Sequence, residues 1–288
     1  MTTILDRRLT PARPDLAARH LLGQVEAREF VDPVPKRVIS SSAPLRREPR
    51  PDAPLDTEAL AGELVQVYEV FEGWAWGQLE SDGYVGYLPD NVLRKDIPAP
   101  THRVCALRTF VYPGASMKLP PVDALSLGAG VAVFRESGDF SVLADGGHVW
   151  RAHLQPIDVF EPDFVAVAER FLHVPYLWGG KTSLGLDCSG LTQLSLAAAG
   201  IASPRDSDML EAGIGESLPL DEGLEGLQRG DLVFWKGHVG IMTDATTLLH
   251  ATAYSMTVMS EPLRVARDRI QAKSFGAITS MRRPTGTV

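Results

Sequence analysis

The sequence predicts an α+β chain, with two small all-β barrels ahead of a domain in which helices precede a run of strands. Three observations predict this. Two stretches alternate apolar and polar residues and read as weak copies of one another. After Pro156 the alternation gives way to helical spacing between Pro162 and Leu172. The chain then returns to short apolar runs separated by turn residues, at 231–235, 238–243 and 248–252.

Residues 1–34 are mixed in character. Apolar residues from Asp15 to Phe30 fall at roughly helical spacing, which predicts a short helix. The stretch from Asp32 to Pro54 is dense in proline and charge and reads as extended connection. The first barrel is expected over 35–97. It carries Val65, Val67, Trp74 and Trp76, with breaks at Glu72-Gly73 and Asp82-Gly83, the second a strong hairpin signal. The second barrel, over 98–158, repeats that order. Val131 and Val133 stand for Val65 and Val67, Phe140 and Val142 for Trp74 and Trp76, and Asp145-Gly146 for the turn. Each barrel is expected to bury its alternate aromatic and β-branched side chains, with Trp74 and Trp76 in its core or rim.

The last domain is expected over 159–288. An amphipathic helix begins there with Pro162 near its first turn. A glycine-rich loop follows, from Val174 to Asp187. A second helix runs from Cys188 until Gly200 stops it.

Composition narrows the function. The chain has 288 residues, 44% hydrophobic and 22% charged, which is ordinary for a globular protein. Its net charge of −8 argues against a nucleic-acid partner, because phosphate recognition wants a basic surface. No run of about 18 apolar residues occurs, so no membrane partner is expected. The first residues lack a basic end followed by an unbroken apolar stretch, so a cytoplasmic location is expected. The two cysteines, Cys105 and Cys188, are expected as free thiols.

The informative stretch is Asp187-Cys188-Ser189-Gly190, where a loop enters a helix. First-turn amides carry partial positive charge, which favours a thiolate. Gly185 and Gly190 are expected to reduce crowding around the sulfur. The plain alternative for a lone cysteine is a small buried hydrophobe. A nucleophilic cysteine needs a base. His238 opens an apolar run just after Lys236-Gly237, and His250 closes the next, twelve residues on. Paired antiparallel strands would put both rings on one face, where His250 fixes the tautomer of His238. Zinc on Cys188, His238 and His250 is disfavoured, since no fourth ligand stands at regular spacing. No metal and no cofactor is expected.

Five segments in order carry a resemblance: Pro175-Tyr176-Leu177-Trp178-Gly179-Gly180, then Asp187-Cys188-Ser189-Gly190, then Arg229 through Trp235, then Gly237-His238-Val239-Gly240-Ile241, then Leu249-His250-Ala251. Together, over about 160–285, they resemble the NlpC family of papain-like cell-wall peptidases. The resemblance implies a papain-like fold, with Cys188 as nucleophile, His238 as base, His250 as orienter, and the Tyr176 hydroxyl and Cys188 amide as oxyanion donors. One branch of the family carries two bacterial SH3-like barrels ahead of the peptidase domain. Its members are similar to γ-D-glutamyl-L-diamino-acid endopeptidases, which act on small murein peptides beginning with a free L-Ala.

On that resemblance Asp187 meets the substrate amine, Ser189 and Ser207 hold the peptide, and Trp178 walls the cleft. Tyr84 is expected from the first barrel, together with an acidic residue, Glu58 or its rival Glu48. Asp187 also fits a helix cap, a role compatible with the first. The family often has a glutamine shortly after the Arg-Asp-Ser motif, where this chain has Met209-Leu210. The second barrel has Gly-Gly-His where the first has Gly-Tyr, which suits packing. A binding module without catalysis, or papain-like chemistry on another amide or acyl substrate, are the competing readings.

Overall fold

The structure, a computed structural model, describes residues 5–220 and 223–285. The chain divides into two compact units, Met1–Ile157 and Asp158–Val288. Among the described residues, no helix is long and apolar enough to cross a membrane.

The first unit holds two β structures of the same plan. In the first, a sheet runs in the order Leu55–Leu60, Ser42–Arg46, Val85–Pro89, Trp74–Leu79, Leu64–Phe71, Val34–Val38, Leu93–Arg94. Glu72-Gly73 turns one hairpin with both residues at positive φ, 47° and 82°. That backbone twist matches the flanking strands. Val65, Val67, Ala75, Leu79 and Leu88 fill the interior. Trp76 is 3% exposed, while Trp74 is half-buried. In the second, Val133–Ser137, Phe140–Leu143 and His148–Trp150 form the corresponding meander, with Asp145-Gly146 turning its last hairpin. A 3-10 turn, Asp90–Val92 in one and Arg151–His153 in the other, precedes each closing strand. The duplication in the sequence is thus a duplication of structure.

Two expectations in this unit fail. Asp15–Phe30 is not a helix. Leu16–Ala18 and Glu29–Val31 pair as parallel strands, with a 3-10 turn at Arg19–Leu21. Gly23 adopts φ 80°, which a helix forbids. Just ahead of this segment, Arg13 docks on the first barrel: its guanidinium lies 4.4 Å over the Trp76 ring and its Nη1 donates to the Tyr87 hydroxyl (3.0 Å). The stretch 32–54 is not mere connection either. It supplies the Val34–Val38 and Ser42–Arg46 strands, despite Pro35 and Pro44. Proline survives there because Leu93–Arg94 pairs only Arg37 and Val38 of the first strand, and Val85–Pro89 only Arg46 of the second. Neither proline displaces a ladder donor.

The second unit packs helices on a six-stranded antiparallel sheet. Its order is Glu216–Leu218, Ile278–Arg283, Leu232–Trp235, His238–Met242, Thr247–Thr252, Thr257–Pro262. Helix α1 (Phe164–Glu169) is capped by the Asp163 side chain, which accepts from Val165 N (2.8 Å); Pro162 stands just before the cap. Helix α2 (Cys188–Ala198) ends where Gly200 takes φ 77°. Helices α3 (Ser207–Gly213) and α4 (Leu263–Lys273) follow. Val233, Trp235, Met242 and Leu248 meet Leu263, Ala266 and Ile270 of α4 in one core. The Arg229-Gly230-Asp231 motif is scaffold. Arg229 bridges Asp163, the cap of α1, and Glu169 within it, Gly230 turns at φ 92°, and the fully buried Asp231 is held by Arg283.

Candidate active site

Cys188 is the first residue of α2, and α2 packs against the His238–Met242 strand. The backbone amide of Val239 favours the anionic form of the sulfur, which puts the start of that strand at Cys188. The residue next to Val239, His238, follows the two-residue turn Lys236-Gly237, in which Gly237 takes φ 87°. The turn places His238 at the mouth of its strand, on the element that packs against the helix Cys188 opens, although fifty positions of chain separate the two.

His250 sits on the adjacent strand. Ile241 pairs Leu249 and Met242 pairs Leu248, so His238 and His250 are diagonal neighbours on one sheet face. His238 Nε2 lies 2.8 Å from His250 Nδ1, and both rings are buried. Phe275 stacks on His238 at 5.3 Å, and Trp235 lies 5.6 Å from it. This apolar sleeve removes water from the imidazole. Burial, then His250 and Arg269, hold the His238 pKa well below 6.5, against the opposing pull of Glu261.

The thiol corrects an expectation. Burial, then the Asp187 carboxylate, push the Cys188 pKa up to about 12, against the Val239 amide, Arg205 and the Ser189 amide. The helix terminus contributes, but it does not outweigh the loss of water around the sulfur. The resting pair is therefore neutral thiol and neutral imidazole, and the proton leaves sulfur only as a bond forms. The rate of Cys188 alkylation by iodoacetamide is expected to rise roughly tenfold per pH unit from about pH 6 to about pH 9. A plateau below neutrality would show a resting thiolate–imidazolium pair. His238 accepts a proton only when neutral, so the acid limb of kcat/KM is expected below pH 6.5.

Asp187 is tied into the domain. Its Oδ1 accepts from Gly190 N (2.7 Å), Arg205 Nη1 (2.9 Å) and Ser189 Oγ (3.3 Å). Its Oδ2 accepts from Gly179 N and Arg205 Nη2, both at 2.9 Å. The helix-cap role is thus occupied, and the buried Arg205 neutralises the charge that a substrate amine would need. Gly185 and Gly190 do not open space at sulfur. A Cβ at 185 would strike Leu177 at 2.7 Å, and one at 190 the carbonyl of Gly180. They let the 175–185 loop lie flat against the start of α2.

The other expected residues fall as follows. Tyr176 is half-buried. Burial, then the electrostatic influence of Cys188 and Asp187, raise its pKa, so the phenol stays protonated and remains a donor. Ser189 is buried, and its hydroxyl accepts from Arg205 (2.8 Å). Ser207 opens α3 and is half-buried; Trp178 is 65% exposed on the glycine-rich loop. Within the first barrel, Tyr84 belongs to the buried core and Glu58 accepts from Ser42 Oγ (3.1 Å), while the exposed Glu48 pairs Arg50. Cys105 and Cys188 are both free thiols. No group of three His, Cys, Asp or Glu positioned for a metal occurs among the described residues.

Three residues that sequence reasoning missed stand behind these. Arg205 binds Asp187. Glu261 Oε1 lies 2.9 Å from His250 Nε2, and Arg269 grips both oxygens of Glu261. Burial would raise the Glu261 carboxyl, but hydrogen bonds from Arg269 and His250 outweigh it and hold its pKa at about 2.

Known proteins share this architecture. Residues 173–273 match the NlpC/P60 family, and residues 45–93 match the bacterial dipeptidyl-peptidase Sh3 domain. The chain is 34% identical over 93 residues to dipeptidyl-peptidase 6 of Lysinibacillus sphaericus, a match covering 32% of this chain and 33% of that protein. It is 28% identical over 222 residues to gamma-D-glutamyl-L-lysine dipeptidyl-peptidase of Bacillus subtilis (strain 168), covering 69% of this chain and 73% of that one. An NlpC/P60 family protein from Bacillus cereus superposes with a TM-score of 0.73 at 21% identity, over 88% of this chain and all of that chain. With a free cysteine opening a helix beside two hydrogen-bonded histidines, and with these matches, the chain carries a papain-like cysteine peptidase domain of the NlpC/P60 type behind a bacterial SH3 domain.

Proposed function

We propose that the protein is an endopeptidase that cleaves the γ-D-glutamyl–diamino acid bond of murein-derived peptides with a free N-terminal L-Ala. The observation that carries the chemistry is the start of α2 at Cys188 beside the bonded pair His238 and His250. The relatives' printed names supply the bond and the dipeptide register, and removal of a dipeptide is measured from a free amine.

The steps follow from the groups present. Cys188 Sγ attacks the γ-carbonyl carbon of D-Glu as its proton passes to His238. The Tyr176 hydroxyl and the Cys188 amide donate to the oxyanion, each worth about 2.7–4 kcal/mol in comparable sites. The tetrahedral species collapses, and His238 returns the proton to the departing amine of the diamino acid. Water then attacks the thioester, with His238 as base, and releases L-Ala-γ-D-Glu. On this reading Ser189 supports the start of α2 while Ser207 and Trp178 border the substrate. The setting would be recycling of wall peptides in the cytoplasm, a compartment that keeps thiols such as Cys105 and Cys188 reduced; fractionation of cells tests that location.

The substrate claim is tested with L-Ala-γ-D-Glu-diaminopimelate and its N-acetylated copy. The free peptide is expected to be cut into L-Ala-γ-D-Glu and diaminopimelate, and the acetylated one to resist. Equal cleavage of both would overturn the free-amine requirement. Cleavage of neither would overturn the substrate.

A further inference from the structure

The polar chain at the site does not end at His250. His238 offers Nε2 to His250 Nδ1 at 2.8 Å, and His250 offers Nε2 to Glu261 Oε1 at 2.9 Å. All three side chains are buried. Pairing of Leu248 with Glu261 puts the carboxylate on the sheet face that carries both histidines. Arg269, from α4, grips Glu261 through two guanidinium nitrogens and lies 4.1 Å over the Tyr254 ring. Glu261 is therefore ionised and can only accept.

That one fact orients every proton in the row. An accepting carboxylate requires His250 to carry its proton on Nε2. With its one ring proton committed to Glu261, His250 has a bare Nδ1, which can only accept from His238 Nε2–H. His238 is left with a bare Nδ1, the nitrogen able to take the proton from sulfur. We propose that Glu261, held by Arg269, is a positioning residue that fixes the tautomers of both histidines and so makes His238 a base. This rests on the cysteine-peptidase reading of Cys188 and His238. It adds a fourth member to the constellation and says why a histidine can serve as the third.

Glu261→Gln tests it, because a glutamine can turn its amide toward His250 as a donor. His250 would then carry its proton on Nδ1, and His238 Nε2 would be the acceptor. His238 Nδ1 would carry the proton and face sulfur as a donor, unable to act as base. A drop in kcat of about 10²–10⁴-fold with little change in KM is expected, by analogy with a misoriented histidine in other triads. The ¹⁵N shifts of His238 and His250 in the substrate-free protein should show both tautomers exchanged. Since Glu261→Gln leaves the Arg269 charge unpaired, the double variant Glu261→Gln/Arg269→Gln removes it, and the same kcat loss and shift exchange are expected. Unchanged tautomers, or a loss carried entirely by KM, would overturn the proposal. The NMR arm needs no substrate, so it decides the role of Glu261 even if the tripeptide proves to be the wrong substrate.

Discussion

Cys188→Ala is expected to lower kcat for peptide hydrolysis by at least roughly 10⁴-fold, with the fold intact. The loss follows from removing the sulfur at the site that forms the thioester. The fold survives because the cap of α2 belongs to Asp187, and the α2 ladder does not involve the sulfur. His238→Ala is expected to cost nearly as much, since nucleophile and base act as one unit and their losses do not add. It is the less clean variant. It leaves a buried His250 Nδ1 without its partner and opens a space beside Phe275 and Trp235. Circular dichroism and kcat measured together separate the two effects. A Cys188→Ala protein that still turns over would remove the sulfur from the mechanism.

Asp187→Asn is expected to be the most destabilising single change near the site, by about 3 kcal/mol, with the Tm falling by roughly 10 °C. The Arg205 side chain is 1% exposed and the Asp187 side chain 12%. Removing the negative partner takes a carboxylate with two charged contacts away from a buried guanidinium. The same change weakens the cap at Gly190 and the tie to the Gly179 amide, so the glycine-rich loop loses its anchor. Thermal unfolding of the variant is the check. A Tm within about a degree of the native protein would mean that water already screens the pair. It would also free Asp187 for the amine-binding role that the Arg205 contact now opposes.

What the sequence made legible was local. Helix α2 announced itself through Asp187 before an apolar run and Gly200 after it, because capping and stopping act within a turn. The barrel duplication showed in its alternation and its Asp-Gly turns, and the spacing of His238 and His250 matched two strands joined by a turn. What stayed hidden depends on contacts distant in sequence. Asp15–Phe30 has helical spacing, yet Gly23 and the pairing of Leu16–Ala18 with Glu29–Val31 override it. Pro35 and Pro44 looked like breaks because strand order, which leaves their nitrogens unpaired, is invisible in one dimension. Arg205 showed only as the first residue of the Arg-Asp-Ser motif, and Glu261 carried no signal beyond its charge. Their partners, Asp187 and His250, lie 18 and 11 residues away. The raised thiol pKa was missed for a similar reason: helix position can be read from a motif, but burial cannot.

The central claim is that one sulfur carries the acyl group. Rapid acid quench of the enzyme turning over L-Ala-γ-D-Glu-diaminopimelate, followed by peptide mass mapping, tests it most directly. The account predicts an L-Ala-γ-D-Glu thioester on the peptide containing Cys188, sensitive to hydroxylamine, and none on the peptide containing Cys105. Product forming with no adduct on Cys188 even when deacylation is slowed by an alternative ester substrate, or an adduct on any other side chain, would contradict it.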